Sequence, residues 1–268
     1  MKQRKPAVAG AFYPGSREEL LEALNEMVDA AMVKKSALGL IAPHAGYIYS
    51  GRGAGKVFSS VQIPDDVVVL GVNHRGIGAE VAIMSEGSWL TPLGEVKINS
   101  DLARMIRAGS SLVTDDEAAH RSEHSLEVQI PFLQLLKPGF RLVPLCLSRM
   151  GLEECEELGK AVAAAVKKWG KPVLVVASSD MSHYISAEAA KQKDNLALEK
   201  ILKLDPRGLY QTVSKNDISM CGVIPAAVML VAAREMGAQS AELVDYRNSG
   251  DVTGDYREVV AYAAVMVR

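Results

Sequence analysis

The sequence predicts an α/β fold with a mainly parallel sheet, helices on both faces and an antiparallel margin. Strand-like and helix-like segments alternate along the 268 residues, which is typical of parallel sheets covered by helices. Several strand-like runs are continuously apolar, as expected of strands buried on both faces. No repeat, low-complexity stretch or linker interrupts the pattern, and α/β folds of this length are commonly one domain. We therefore expect a single domain over residues 1–268.

Seven strands are predicted from apolar runs and from β-branched residues. They span residues 38–42, 67–72, 81–84, 141–147, 173–177, 241–246 and 258–267. The last two are joined by the turn-rich residues 248–251, so they predict the antiparallel margin.

Seven helices are predicted from apolar periodicity and from cap signals. They span residues 16–32, 99–108, 125–136, 152–168, 187–202, 206–213 and 222–236. Ser16 with Glu19 forms a capping box, and Gly170 and Gly237 are predicted to end their helices.

The glycine-rich residues 51–56 are predicted to open a helix or a turn. A phosphate loop would need Gly at position 50 and Ser or Thr at position 57, where this chain has Ser50 and Val57. The run also lacks the last glycine of a dinucleotide-binding turn. Nucleotide binding is therefore not expected.

Composition excludes several classes of function. The net charge is −2 and aromatic residues make up 5% of the chain, so neither a basic face nor a base-stacking surface indicates nucleic acid as a partner. The longest apolar stretch, residues 221–233, contains Pro225 and is shorter than the roughly 20 residues that span a bilayer. Three cysteines imply no disulfide framework, and a reducing cytoplasm is the expected compartment.

Polar side chains follow three of the predicted strands. His44 and His74 follow the first two strands, and Asp180 and His183 follow the strand at residues 173–177. Because the carboxyl ends of parallel strands converge on one crevice, we expect these side chains to lie close together. With Cys221 they include the ligand types of a transition-metal site, or the parts of a nucleophilic site.

Each of these residues also has a structural interpretation. A lone loop histidine is often a surface or hydrogen-bonded residue. Asp180 and His183 are three apart, so on a first helical turn they would share one face and serve as a metal ligand and a general acid or base. Alternatively, Asp180 or Ser182 caps the helix near residue 187. Cys221 precedes a predicted helix, which would favour a thiolate, although an unpaired cysteine is often a small core residue.

With these motifs in view, the chain resembles the MEMO family, the mediator of ErbB2-driven cell motility proteins and their microbial relatives. The most specific motif is EHSLEVQIPFL at residues 123–133. The others are PAVAG at 6–10 with FYP at 12–14, APHAGY at 42–47 with YSG at 49–51, GVNH at 71–74, SSDMSHY at 178–184, MCG at 220–222 and YRNSGD at 246–251. The motifs are spread over essentially the whole chain.

The resemblance implies a three-layer α/β/α sandwich like that of class III non-haem iron extradiol dioxygenases. Those enzymes hold iron(II) with two histidines and a carboxylate and leave positions open for substrate and oxygen. By similarity, His44 and His74 would be metal ligands and Cys221 would take the third position. Asp180 and His183 would line the same cleft as catalytic residues, with His183 transferring protons.

The resemblance also extends to the motif residues Glu123 and His124, which are expected near the site without an assigned role. A thiolate ligand is softer than a carboxylate, so it admits copper or zinc besides iron(II), and it is itself oxidisable. For microbial members the resemblance implies association with AMMECR-type and radical-SAM proteins.

Three functional hypotheses follow. The first is a redox metalloprotein, an iron- or copper-dependent oxidoreductase acting on an unidentified small molecule or modified side chain. The second is a non-catalytic module that binds a peptide or an anion in the same cleft. The third is metal-free chemistry with Cys221 as nucleophile and His183 as its base.

Overall fold

A computed structural model describes residues 2–268, which form a large mixed sheet and a small three-stranded sheet. In chain order the strands are β1 (Gln3–Arg4), β2 (Gly39–Ala42), β3 (Asp66–Val72), β4 (Val81–Ile83), β5 (Ser88–Thr91), β6 (Gly94–Lys97), β7 (Thr114–Asp115), β8 (Arg141–Leu147), β9 (Val173–Ser178), β10 (His183–Ile185), β11 (Ala241–Asn248) and β12 (Val259–Val267).

The α-helices are α1 (Arg17–Met27), α2 (Tyr47–Ser59), α3 (Ser100–Gly109), α4 (Ile130–Leu136), α5 (Leu152–Trp169), α6 (Ala187–Leu202), α7 (Pro206–Lys215), α8 (Val223–Glu235) and α9 (Gly250–Thr253). Two short 3-10 helices cover Ala118–His120 and Glu127–Gln129.

Four parallel strands form the centre of the large sheet, in the order β2, β9, β3, β8. Their side chains are almost fully buried, and Val67 to Leu70 expose no surface at all. Full burial of one such side chain contributes about 1.5–3 kcal/mol, which explains why these strands are continuously apolar in sequence. The predicted parallel centre is confirmed.

The margins of the large sheet are partly antiparallel. On one side β12 pairs antiparallel with β2, β10 and β11. On the other side β4 pairs antiparallel with β8 and parallel with β7. The separate small sheet has the order β1, β5, β6.

Helices cover both faces of the large sheet. One layer contains α1, α2 and α4, which pack on one another and, through α2, on β2, β11 and β12. The opposite layer contains α3, α5, α6, α7 and α8, with α8 against β2, β3 and β9. The three-layer α/β/α arrangement is therefore confirmed. Across residues 2–268, no helix combines the length and the apolarity needed to cross a bilayer.

Most predicted elements are present. The differences are at the ends of elements, in the segment before α4 and in several short strands. The first helix ends at Met27 rather than at residue 32. The predicted helix at 125–136 is wrong in its first part, because residues 122–126 form a loop and a short 3-10 turn precedes α4. The strands β1, β5, β6, β7 and β10 carry no strong periodic signal and were not predicted.

The glycine-rich run lies inside α2, where its glycines allow close helix packing. A side chain at Gly55 would overlap the backbone carbonyl of Met27, at the end of α1. A side chain at Gly53 would instead have a side-chain atom as its nearest neighbour, the carboxylate of Asp245 at 3.3 Å. Gly51 and Gly55 therefore lie at the contact between α1 and α2, whereas Gly53 faces β11.

The α1–α2 contact predicts opposite behaviour for two glycines of the same helix. Gly55→Ala should lower the free energy of unfolding by about 1–3 kcal/mol, because backbone must move to accept the methyl group. Gly53→Ala should be neutral or stabilising by up to about 1 kcal/mol, since alanine is the better helix former. Urea unfolding of both variants checks this, and equal losses at the two positions would contradict it.

Candidate metal centre

The carboxyl ends of three central strands bring distant residues together. Ala42 at the end of β2 is in register with Ser178 at the end of β9, and His44 follows two residues later. The neighbouring strand β3 ends at Val72 and is followed by His74. Cys221 reaches the same place from the loop before α8. The structure thus juxtaposes residues from three strand ends and one loop, as the sequence predicted.

His44, His74 and Cys221 each offer a ligand atom, and the three atoms lie within 4.8 Å of one another. The Nε2 atom of His44 is 3.2 Å from the Sγ atom of Cys221. The two imidazole centroids are 5.2 Å apart with nearly perpendicular planes. Ligand atoms around a tetrahedral ion stand roughly 3.3–3.8 Å apart when first-shell distances are about 2.0–2.3 Å. The spacing therefore fits a transition-metal ion with small adjustments.

Hydrogen bonds fix the tautomer of His44. The Ser178 hydroxyl donates its only proton to the Ser125 carbonyl at 2.6 Å and accepts from the Gln129 amide at 2.8 Å. Its oxygen lies 2.9 Å from His44 Nδ1, so Nδ1 must carry the proton that completes this contact. The lone pair of His44 is consequently on Nε2, the atom that faces Cys221.

Glu123 performs the same function for His74. The Glu123 carboxylate is 3.0 Å from His74 Nδ1 and accepts the His74 backbone N–H at 2.8 Å. A carboxylate can only accept, so Nδ1 donates and Nε2 is left free. A carboxylate behind a histidine ring is the arrangement that orients metal-ligating histidines.

The Glu123 carboxylate is fully buried and accepts four N–H groups. Besides the two bonds from His74, it accepts the backbone N–H groups of His124 at 2.9 Å and Ser125 at 2.8 Å. Burial alone would raise the pKa of Glu123, but these hydrogen bonds outweigh it and hold the pKa at about 2. Glu123 therefore remains ionised and binds the His74 loop.

His124 stacks on the imidazole of His74, with centroids 4.6 Å apart and planes at 22°. Its centroid is 5.5 Å from that of His44 and 4.5 Å from the ring of Phe12. Burial lowers the pKa of His124 to about 4. The imidazole rings of the three histidines thus pack against one another. Burial, followed by the charges of the other two rings, also lowers the pKa of His44 well below its usual range.

Asp180 contacts the backbone of His44, the first of the ligand candidates. Its carboxylate accepts the backbone N–H of His44 at 2.8 Å, and the backbone of Ala45 also donates to it. Burial raises the pKa of Asp180 to about 7. Asp180 is in a loop and His183 begins β10, so the prediction that they share a helical turn is wrong. The α6 cap is Ser186 rather than Asp180 or Ser182.

His183 follows the carboxyl end of β9, the end of the central strands at which the ligand candidates lie. Its Nδ1 donates to the Ser219 carbonyl at 2.8 Å, and its backbone N–H donates to the Ser219 hydroxyl. Its charge contributes to lowering the pKa of His44. The following residue, Tyr184, is exposed and has a φ of 56°. Within residues 2–268 no hydrogen bond engages Nε2 of His183, and its role as a proton-transfer residue stays a prediction.

Cys221 lies directly before Gly222, the N-cap residue of α8. Its Sγ accepts the backbone N–H of Asp180 at 3.3 Å. Burial, followed by the negative charge of Asp180, raises the pKa of the free thiol. The expectation that the helix N-terminus makes Cys221 acidic is therefore wrong, because burial dominates.

Sequence reasoning gave no role to Ser125, Ser178 or Gln129. All three are fully buried and connect the strand ends, since the Ser125 hydroxyl also bonds both backbone groups of Val72. For Ser178, a small polar residue at the end of the continuously apolar β9 was the available signal.

Comparisons with known proteins agree with this architecture. A family model described as "Memo-like protein" matches residues 4–266. The chain is 43% identical to a MEMO1 family protein of Pyrobaculum arsenaticum, with 99% of each chain covered. It is 40% identical to MEMO1 family proteins of Methanopyrus kandleri and Aquifex aeolicus, also with 99% coverage of each chain.

A solved structure shares the fold alone. The crystal structure of an uncharacterized protein from Escherichia coli K12 superposes with a TM-score of 0.57 at 14% identity. The match covers 84% of this chain and 98% of that protein.

The depressed pKa of Glu123 predicts a specific acid response. Its folded pKa of about 2 lies below the ordinary value of 4.5, so its stabilising contribution is complete above pH 4.5 and is lost as the pH falls towards 2. The contribution is at most about 3 kcal/mol. The stability difference between wild type and Glu123→Gln should shrink by this amount over that range in urea unfolding. Parallel pH curves for the two proteins would contradict the assignment.

The Ser178 contact predicts a change in the tautomer of His44. In metal-free protein, long-range ¹H–¹⁵N spectra should show the Nδ1–H form in wild type and a mixture in Ser178→Ala. The lost hydrogen bonds should also cost about 1–3 kcal/mol. Ser182→Ala is the matched control, because that buried serine bonds Asp194 instead. An unchanged His44 signal in Ser178→Ala would disprove the tautomer argument.

Proposed function

The chain belongs to the family of Memo-like proteins, and on that premise we propose that His44, His74 and Cys221 bind a transition-metal ion. Iron(II) is the expected ion, with copper or zinc as alternatives. The protein would use this ion in a redox reaction on a small molecule or a modified side chain that enters the cleft.

One observation carries the proposal. Three ligand atoms that can each offer a lone pair converge within 4.8 Å, and both histidines have Nδ1 occupied by a hydrogen bond. Histidines that ligate metals are oriented by this kind of bond on the other ring nitrogen. Since Ser178 and Glu123 hold both rings by these bonds, the donor set is pre-organised.

The chain's own residues have distinct tasks in this proposal. When bound, the ion would supply Lewis acidity and, if iron or copper, electron transfer. Glu123 keeps His74 in its orientation, and Asp180 holds the backbone of His44. His74 is about one-third exposed, so substrate would approach from its side. His183, whose Nε2 makes no hydrogen bond in the described part of the chain, would hold or accept a proton.

The alternative functions differ in what they require of the same residues. Metal-free cysteine chemistry would need a base beside Cys221, and the imidazole that contacts Sγ is that of His44 rather than His183. A binding module would use the cleft without turnover and without need of an ion. The proposal also assumes a reducing cytoplasm, where Cys221 stays a thiol.

The direct test is metal content. Protein purified without oxygen and reconstituted with iron(II) should contain about one ion per chain by mass spectrometry, as expected if the three ligands form one site. His44→Ala and Cys221→Ser should each abolish this stoichiometry. Cys155→Ala is the matched control, because Cys155 is buried in α5 outside the ligand cluster.

Two outcomes would contradict the proposal. Absence of iron, copper and zinc after reconstitution would favour the binding module. Rapid alkylation of Cys221 in metal-free protein, slowed by replacing His44, would favour nucleophilic chemistry.

A further inference from the structure

We propose that Arg4 is a positioning residue of the metal centre, acting through Glu123 on the ligand His74. The inference rests on the proposed function, because it concerns how strongly the same ligand set binds its ion. Arg4 belongs to β1, near the start of the chain, and it comes from outside the strand ends and the loop that carry the ligands.

The Arg4 guanidinium binds the loop before α4 at three separate points. Nε donates to the His120 carbonyl at 2.7 Å, Nη2 donates to the Glu123 carbonyl at 2.7 Å, and Nη1 donates to the Glu127 carboxylate at 2.6 Å. One planar group therefore connects the first, middle and last parts of residues 120–127. Only arginine has donors in a rigid fork of this kind.

Glu127, the acidic partner of Arg4, is itself held by hydrogen bonds. The Glu127 carboxylate accepts the backbone N–H groups of Ala7 and Val8 and the hydroxyl of Tyr13. The Arg4 and Glu127 side chains are almost completely buried, with 4% and 0% exposed. The guanidinium carbon lies 4.1 Å from the centre of the Trp89 ring. Residues 4–13 are consequently joined to the loop by a buried, fully bonded ion pair.

The connection to the metal ligand runs through a single residue. Arg4 holds the carbonyl of Glu123, while the carboxylate of Glu123 binds the backbone and Nδ1 of His74. A shift of the Glu123 backbone would therefore move the group that orients the His74 ring. Ligand affinity depends on such orienting partners, and their loss typically costs about 10–100-fold in metal affinity.

The chain contains a control for the loss of an arginine–carboxylate contact, at a more exposed arginine far from the ligand candidates. Arg141 donates to the buried Asp66 carboxylate at 2.8 Å and lies 5.6 Å from the ring of Trp169. Asp66 and Arg141 pair at the amino ends of β3 and β8, whereas His74 follows the carboxyl end of β3. Replacing Arg141 thus removes an arginine–carboxylate bond at the opposite end of the strands.

The test is a cobalt(II) titration of wild type, Arg4→Lys, Arg4→Met and Arg141→Met, followed by the thiolate-to-cobalt absorption band. Arg4→Lys keeps a positive charge but not the fork. Its Kd for cobalt(II) should rise by about 10-fold or more, and its band should shift. Arg141→Met should lose stability in urea and keep the wild-type Kd and band.

A second measurement does not involve the metal. In metal-free protein at mildly alkaline pH, long-range ¹H–¹⁵N spectra should show His74 as the Nδ1–H tautomer in wild type and as a mixture in Arg4→Lys. If Arg4→Met does not fold, Arg4→Lys decides the matter together with Tyr13→Phe, which removes one bond to Glu127 and should raise the Kd more weakly.

Either of two results in folded Arg4→Lys would overturn the inference: a wild-type Kd and band, or an unchanged His74 signal. An equal rise in Kd for Arg141→Met would also overturn it, since the effect would then be general destabilisation. Failure of wild type to bind cobalt(II) would instead reject the metal site itself, and the His74 spectrum would still decide whether Arg4 positions that residue.

Discussion

A buried carboxylate that accepts four N–H groups is the interaction on which the cleft depends. A buried carboxylate is tolerated only when it is fully hydrogen-bonded. Glu123 meets this condition because the loops of His74 and Ser125 donate backbone N–H groups to it. The same bonds orient His74 and connect β3 to the loop before α4. The apolar strands form the rigid sheet, and the hydrogen bonds to the Glu123 carboxylate hold the loops at its carboxyl end in place.

The positions of the ligand candidates were predictable because they depend on general rules of α/β folds. Central parallel strands are continuously apolar, their carboxyl ends converge, and polar residues placed there meet. These rules predicted the proximity of His44 and His74 from sequence. Cys221 was a candidate because it precedes a predicted helix, and the motif match gave it the third ligand position. The same rules also predicted the layered fold, since the strands and helices that form its centre have strong periodic signals.

The remaining features could not be read from local sequence, because they depend on contacts between distant segments. The acid-rich start of the 123–133 motif suggests a helix, yet Glu123 bonds to His74 instead, and the helix begins later. Asp180 has the spacing of a helical pair with His183, but its carboxylate is used by the backbone of His44. The acidity of Cys221 was misjudged for a related reason, since its burial is set by packing. In each case tertiary hydrogen bonding or burial outweighs local preference.

The pairing of β12 has a consequence for the order in which the protein can assemble during synthesis. β12 borders β2 from the first part of the chain, and its Ala261 bonds the backbone of Met181 and Ser182, on either side of which lie Asp180 and His183. Until residues 259–267 have left the ribosome, β2 lacks one neighbour and the segment at 180–183 lacks its support. Contacts over such sequence separations form slowly. The cleft is therefore completed only after residues 259–267 have joined the sheet, and the nascent chain presents an open strand edge that is vulnerable to aggregation until then.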